Sequence, residues 1–153
     1  MADTYTQIYI HIIFAVKGRQ NHISVDWKDE LYKYITGIIS NKKQKLIHIN
    51  GISDHIHILI GMKPTISLSD LVRDVKFNST NFINAKRYIN GKFYWQEGFG
   101  AFSCSPSQLD KVINYIKNQE IHHKRKTFKE EYVEFLKRYN VEYKPEYLFD
   151  FEK

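Results

Sequence analysis

The chain has 153 residues, one domain's worth, and with 42% hydrophobic and 15% aromatic residues it holds enough apolar material for a packed core, which excludes disorder over most of its length. The formal charge of +6 favours a polyanionic partner. No apolar run is long enough to span a membrane, Met1–Thr4 lacks the basic start and apolar core of a signal peptide, and the lone Cys104 cannot form an intrachain disulfide, so the expected setting is the cytoplasm.

In chain order, Gln7 to Val16 reads as an isoleucine-rich strand, broken by the run from Lys17 to Asn21. Asp26 can cap a helix carrying Trp27, Leu31, Tyr34, Ile35, Ile38 and Ile39 at helical spacing. Residues 45–61 read as a hairpin, with Asn50-Gly51 as its turn signal. Ser67 and Asp70 open a helix that runs to about Lys86. Phe93–Trp95 and Ala101–Cys104 look like short strand pieces around a glycine turn at Gly98–Gly100. Ser105-Pro106-Ser107-Gln108 starts a helix expected to continue to about Lys124, and Thr127 with Glu130 starts the last one. The tail, 140–153, is expected to be irregular. The order β-α-β-β-α-β-α-α predicts an α+β, ferredoxin-like (split βαβ) antiparallel sheet, extended by C-terminal helices, with 1–153 as a single domain.

Two places carry chemistry. In Asp54-His55-Ile56-His57-Ile58-Leu59, strand alternation sets His55 and His57 on one face, from which two neutral imidazoles can reach one divalent ion. The plainer alternative is a pair of strand histidines hydrogen-bonded to neighbours. In Tyr115-Ile116-Lys117-Asn118-Gln119, helical spacing puts a phenol and a carboxamide one turn apart, beside the apolar stripe of Leu109, Val112, Ile113 and Ile116. With eleven tyrosines in the chain, a packing role for Tyr115 is the competing account. His122-His123-Lys124-Arg125-Lys126 follows directly. It reads equally as a solvated helix end or as a set of phosphate contacts.

Three stretches in order, Gly51–Leu59, Trp95–Ser103 and Tyr115–Gln119 with His122-His123, resemble the single-tyrosine HUH transposases of the smallest bacterial insertion sequences, the insertion sequence 200-like type. The resemblance runs from about Tyr5 to Tyr139. It implies that His55, His57 and Gln119 hold a divalent metal ion (Mg²⁺ or Mn²⁺) and that Tyr115 attacks DNA. It implies as well a homodimer, in which the tyrosine helix of one subunit can serve the other, and single-stranded, hairpin-containing element ends as the DNA partner.

The chemistry expected is exchange of one phosphodiester for another, through a 5′-phosphotyrosine that a new 3′-hydroxyl can resolve without ATP. Trp95 and Phe99 are candidate stacking surfaces for bases, with Phe102 read as core, and Lys17 and Arg19 are candidate phosphate contacts. A non-catalytic single-strand binder would explain charge and aromatics. It gives no reason for the paired histidines or for the tyrosine–glutamine pair. A relaxase or replication-initiation nuclease shares the chemistry and usually sits in a longer chain.

Overall fold

A computed structural model of the chain describes residues 2–18 and 22–151. Four strands, β1 (Tyr9–Ala15), β2 (Lys45–Ile52), β3 (His55–Gly61) and β4 (Gly100–Cys104), form a sheet in the order β2-β3-β1-β4, every neighbouring pair antiparallel. With helices α1 (Lys28–Asn41) and α2 (Leu68–Lys86) placed between strands, this is the expected ferredoxin-like, α+β arrangement. Three further helices follow: α3 (Leu109–Lys117), α4 (Gln119–His122) and α5 (Phe128–Arg138).

The sheet register sorts side chains between two faces. Opposite residues in paired strands point the same way. His55, His57 and Leu59 therefore share a face with Ala15, Ile13 and His11 of β1, with Ile52, Asn50 and His48 of β2, and with Phe102 of β4. Ile56, Ile58, Ile60, Ile12 and Phe14 point the other way and join Leu31, Ile35, Leu71 and Val75 of α1 and α2 in the main core. The histidine face is covered by the C-terminal helices, with Ile116 of α3 packed on Leu59 and Cys104.

Several local expectations shift. The hairpin turn falls at Ser53-Asp54, and Gly51 lies within β2. A Cβ at Gly51 would stand 2.2 Å from the His55 carbonyl oxygen, so glycine is required there by close backbone approach. Asp26 does not cap α1. Trp27 holds that position, buried and stacked on Tyr88. Trp95 makes only a single bridge, to Val16, in place of a strand.

The segment expected as one helix to Lys124 begins with a single 3₁₀ turn at Pro106–Gln108 and breaks at Asn118. The break has a visible cause. Asn50 on β2 donates its side-chain amide to the carbonyls of Ile116 (3.0 Å) and Lys117 (3.2 Å), taking up α3's terminal acceptors and freeing the chain to turn. The described part of the tail is irregular as expected, apart from one 3₁₀ turn at Pro145–Tyr147, yet it is anchored. Gln96 exchanges two hydrogen bonds with the Asp150 backbone, at 2.7 and 2.9 Å, and Phe149 is buried against Phe128 and Tyr132.

Candidate active site

The sheet side of the site consists of His55, His57 and His11, all buried. Each of the paired histidines has its Nδ1 engaged, by different partners. His55 Nδ1 lies 2.7 Å from Asp54 Oδ1, and His57 Nδ1 lies 2.8 Å from His11 Nε2. These contacts turn both Nε2 atoms toward the C-terminal helices. Fixing one imidazole nitrogen to orient the other is the usual support of a metal-ligating histidine.

On the helix side, Tyr115 comes from α3, Gln119 from α4 and Glu131 from α5. Glu131 joins the two halves. Its Oε1 lies 3.0 Å from His57 Nε2, 3.1 Å from His55 Nε2 and 3.2 Å from His123 Nε2. Its Oε2 accepts from Gln119 Nε2 at 3.2 Å and from the Tyr115 hydroxyl. Gln119 Oε1 faces His55 Nε2 at 3.2 Å. His55, His57, Tyr115 and Gln119 therefore meet within one chain, and all contact a carboxylate that the motif reading did not include.

Glu131 had a sequence signal nonetheless. It lies three residues after Phe128 and four before Phe135, on the buried stripe of α5, where an unpaired carboxylate is costly. His11 had a similar one, as a lone imidazole between Ile10 and Ile12 in an apolar strand.

The electrostatics follow from burial set against Glu131. Burial opposes a charged His55, but its bonds to Asp54 and Glu131 outweigh this and raise its pKa. For His57 burial wins over the attraction of Glu131, and the pKa falls. His11 falls well below the ordinary value through burial and the proximity of His57. Glu131 is itself buried, yet His57, His123 and His55 pull its pKa far below the usual carboxylate range. Burial, then the Glu131 charge, holds Tyr115 firmly as the neutral phenol.

The donor chemistry fits a divalent cation. Two imidazole nitrogens and a carboxylate oxygen lie within 4.8 Å of one another, and the Gln119 carboxamide oxygen adjoins them. His55 Nε2 points at two oxygens that can only accept, so either an N–H proton or a cation must lie between them.

The candidate DNA contacts scatter. Trp95 is buried between Phe14 and Phe93, with its indole N–H bonded to Ser79 at 2.9 Å, so it has no free face for a base; its expected stacking role is corrected to a core role. Phe102 is core as expected, and Phe99 is half-buried. His122 stacks on Tyr115, with ring centroids 4.5 Å apart, and His123 turns inward to Glu131, so neither side chain simply faces solvent. Lys126 pairs with Glu134 at 2.6 Å, while Lys124 and Arg125 are exposed. Lys17 is exposed and its backbone amide bonds to the Tyr94 carbonyl, and Arg19 lies outside the described residues.

Residues 4–119 match the model of the family described as transposase IS200 like. The chain belongs to that family. It is 22% identical over 118 residues to the ISDra2 transposase TnpA of Deinococcus radiodurans, covering 74% of this chain and 84% of that one. Among solved structures it resembles a Deinococcus radiodurans protein assigned as a transposase, at a TM-score of 0.60 and 20% identity, over 78% of this chain and 95% of that one. It also resembles the REP-associated tyrosine transposase bound to a REP hairpin, at a TM-score of 0.61 and 13% identity, over 80% of this chain and 73% of that one. This transposase fold thus includes His55, His57, Tyr115 and Gln119 within the matched region, whereas His123 and Glu131 lie beyond it.

Proposed function

We propose that this family member cuts and rejoins single-stranded DNA through a 5′-phosphotyrosine on Tyr115, with a divalent ion, Mg²⁺ or Mn²⁺, held beside it. The observation that carries the reading is the convergence of the Tyr115 hydroxyl and the His55–His57–Gln119 cluster on the two oxygens of Glu131. A packing tyrosine has no need of that company.

His55 and His57 would offer Nε2 to the ion, and Glu131 and Gln119 one oxygen each. The mixed nitrogen and oxygen set suits Mn²⁺ better than Mg²⁺, which prefers oxygen. Such an ion, once bound, polarises a non-bridging phosphate oxygen and offsets the Glu131 charge that faces the phenol. The remaining work falls to the side chains. Ionising an ordinary phenol at pH 7 costs about 4 kcal/mol, and burial beside Glu131 raises that cost for Tyr115. Glu131 Oε2 holds the hydroxyl proton and so aims an oxygen lone pair outward. Attack forms the Tyr115 oxygen–phosphorus bond and breaks the phosphorus–O3′ bond; the phenol proton leaves by way of Glu131 Oε2, which accepts its hydrogen bond, and the released 3′-oxygen takes one up, so the proton count is unchanged. Because the phosphodiester count is unchanged, another 3′-hydroxyl reverses the step on a new strand.

Hairpin-containing element ends are the proposed DNA, supported by the family and by the hairpin named for the REP-associated relative. A homodimer is also part of the reading, although one chain already brings Tyr115 to its own histidines. Mass measurement of the full chain at working concentration tests the dimer. The deciding experiment for the chemistry incubates labelled single-stranded element ends with protein and Mn²⁺. Wild type is expected to form a denaturation-resistant protein–DNA adduct. Tyr115→Phe should form none while keeping DNA binding, a loss on the order of 10⁶-fold in cleavage if it is the sole nucleophile. Undiminished adduct in that variant would overturn the assignment.

A further inference from the structure

The metal-side residues are sealed from solvent, but Tyr115 is not. A cavity of about 270 Å³ opens between α3 and α5, with His11 of β1 at its floor and Tyr115 and Phe135 in its walls. Its lining includes two cations, Lys111 and Arg138, and no carboxylate. Among the described residues neither cation has an ion-pair partner. The Arg138 guanidinium lies over the Phe135 ring, 5.4 Å from its centroid, which limits its freedom without using its N–H donors. Arg138 is also close enough to Tyr115 to work against the raising of its pKa.

Each cation has a plainer account to be weighed. Arg138 ends α5, where a positive charge complements the helix dipole, and that alone would justify it. Lys111 is in the first turn of α3, the end where a cation is the unfavourable sign. Helix stability therefore gives no reason for Lys111, whereas an anion at the cavity mouth does. The volume is just below the range of small-molecule sites, roughly 300 Å³ upward. That admits one nucleotide unit of a single strand and excludes a duplex.

We propose that this cavity seats the strand next to the scissile bond, with Arg138 and Lys111 each neutralising one backbone phosphate of single-stranded DNA. The inference rests on the reading of Tyr115 as the nucleophile, since it names where that reading's substrate lies. It also moves the phosphate contacts from the run Lys124–Lys126, suggested by sequence, to cations on two helices that flank the tyrosine. The guanidinium fork suits two oxygens of one phosphate, and the lysine supplies a point charge.

Salt dependence tests it without metal or cleavage. Fluorescein-labelled oligothymidylate is titrated with the full chain in chelator at several KCl concentrations, with binding read by anisotropy. Each lost phosphate contact to a single strand lowers the slope of log K against log salt by about 0.7. Arg138→Gln and Lys111→Gln should each show that drop, and the double variant about 1.4. Lys33→Gln, an exposed change on α1, should leave the slope at the wild-type value. Thermal melts check that all variants fold. A double variant with the slope of Lys33→Gln overturns the proposal, as does a wild type that does not bind the oligomer. Covalent adduct by wild type with unchanged slopes leaves the cleavage reading standing and removes the seat. Reduced slopes without any wild-type adduct leave Arg138 and Lys111 as phosphate contacts and overturn both the cleavage reading and the placement beside a scissile bond.

Discussion

The two halves of the site are built in unlike ways. His55, His57 and His11 sit on the two central strands, β3 and β1, and each of the three is paired with a neighbouring strand on both sides. Tyr115, Gln119 and Glu131 come from three short helices joined by breaks, and side-chain contacts hold them over the sheet. A strand position in a paired sheet cannot slip without moving a whole face. A short helix can shift when a few contacts are lost. The sheet half is therefore the rigid template, and the helix half is the part whose placement depends on Glu131 and Asn50.

That difference can be broken most severely at Glu131. Glu131→Gln keeps the shape and removes the charge that His55, His57 and His123 surround. Loss of one partner from a buried ionic cluster costs about 3–5 kcal/mol, and at about 2–4 °C per kcal/mol for a chain of this size the metal-free melting temperature should fall by roughly 6–20 °C. Calorimetric Mn²⁺ titration should show affinity weakened by at least about tenfold, as carboxylate suits the ion better than a carboxamide. A melting temperature unchanged in chelator would show that Glu131 does not tie the halves together.

His11 probes the sheet half alone. His11→Phe keeps a ring against Phe102 and Phe135 but leaves His57 Nδ1 without its hydrogen-bond partner. An unmet buried polar group costs about 1–3 kcal/mol, and loss of a histidine's supporting partner lowers metal affinity by roughly 10–100-fold. His11→Gln restores a side chain that can both donate and accept and should recover part of that affinity. Equal Mn²⁺ binding by the Phe and Gln variants would mean that His57 needs no such partner.

The legibility of each half follows the same division. Period-two alternation put His55 and His57 on one face from sequence alone, and the sheet kept them there because its register leaves no choice. The order of elements likewise predicted the sheet. Helical spacing paired Tyr115 with Gln119, yet the helix between them breaks, and the cause is Asn50, 66 residues before Ile116. Local periodicity carries no information about a contact so distant in sequence. Trp95 was open to a stacking role because it flanks the glycine turn at Gly98–Gly100; only the fold reveals Ser79 beneath its indole N–H. Glu131 was legible as a carboxylate on an apolar stripe, but not which histidines would face it.

Acid should loosen the molecule in a predictable direction. His11 and His57 lie below their ordinary value of 6.5 in the folded chain, so as pH falls through that value the unfolded chain takes up protons first and stability drops. His48 adds to this, through partial burial and the charge of Lys117. His55 is raised and acts oppositely: its contribution is complete below 6.5 and is lost as pH rises through its folded value. Below 6.5 the His55 contribution is already complete, so the lowered histidines set the slope there, and Glu131 and Asp54, both depressed, extend the loss as pH falls through the carboxylate range. Metal-free melting temperature should therefore decline as pH falls below about 6.5, and less steeply in His11→Phe. A flat profile down to about pH 5 would contradict the buried neutral state of the His11–His57 pair.

The smallest expected effect is at Asn50, and it separates the halves most cleanly. Asn50→Ala removes the two bonds to the α3 carbonyls of Ile116 and Lys117 and leaves the strand pairing of β2 intact. Those carbonyls end the helix and can turn to water, so the cost should be about 1 kcal/mol, a few degrees in melting temperature. The sheet histidines keep their partners, so Mn²⁺ affinity should stay within about twofold. Tyr115 sits on the helix that has lost its anchor. Near-attack placement is sensitive to shifts of about 1 Å, so single-turnover adduct formation should slow severalfold while metal binding does not change. If affinity and adduct rate fall together instead, the site moves as one body, and the division into a rigid template and a dependent helix half is wrong.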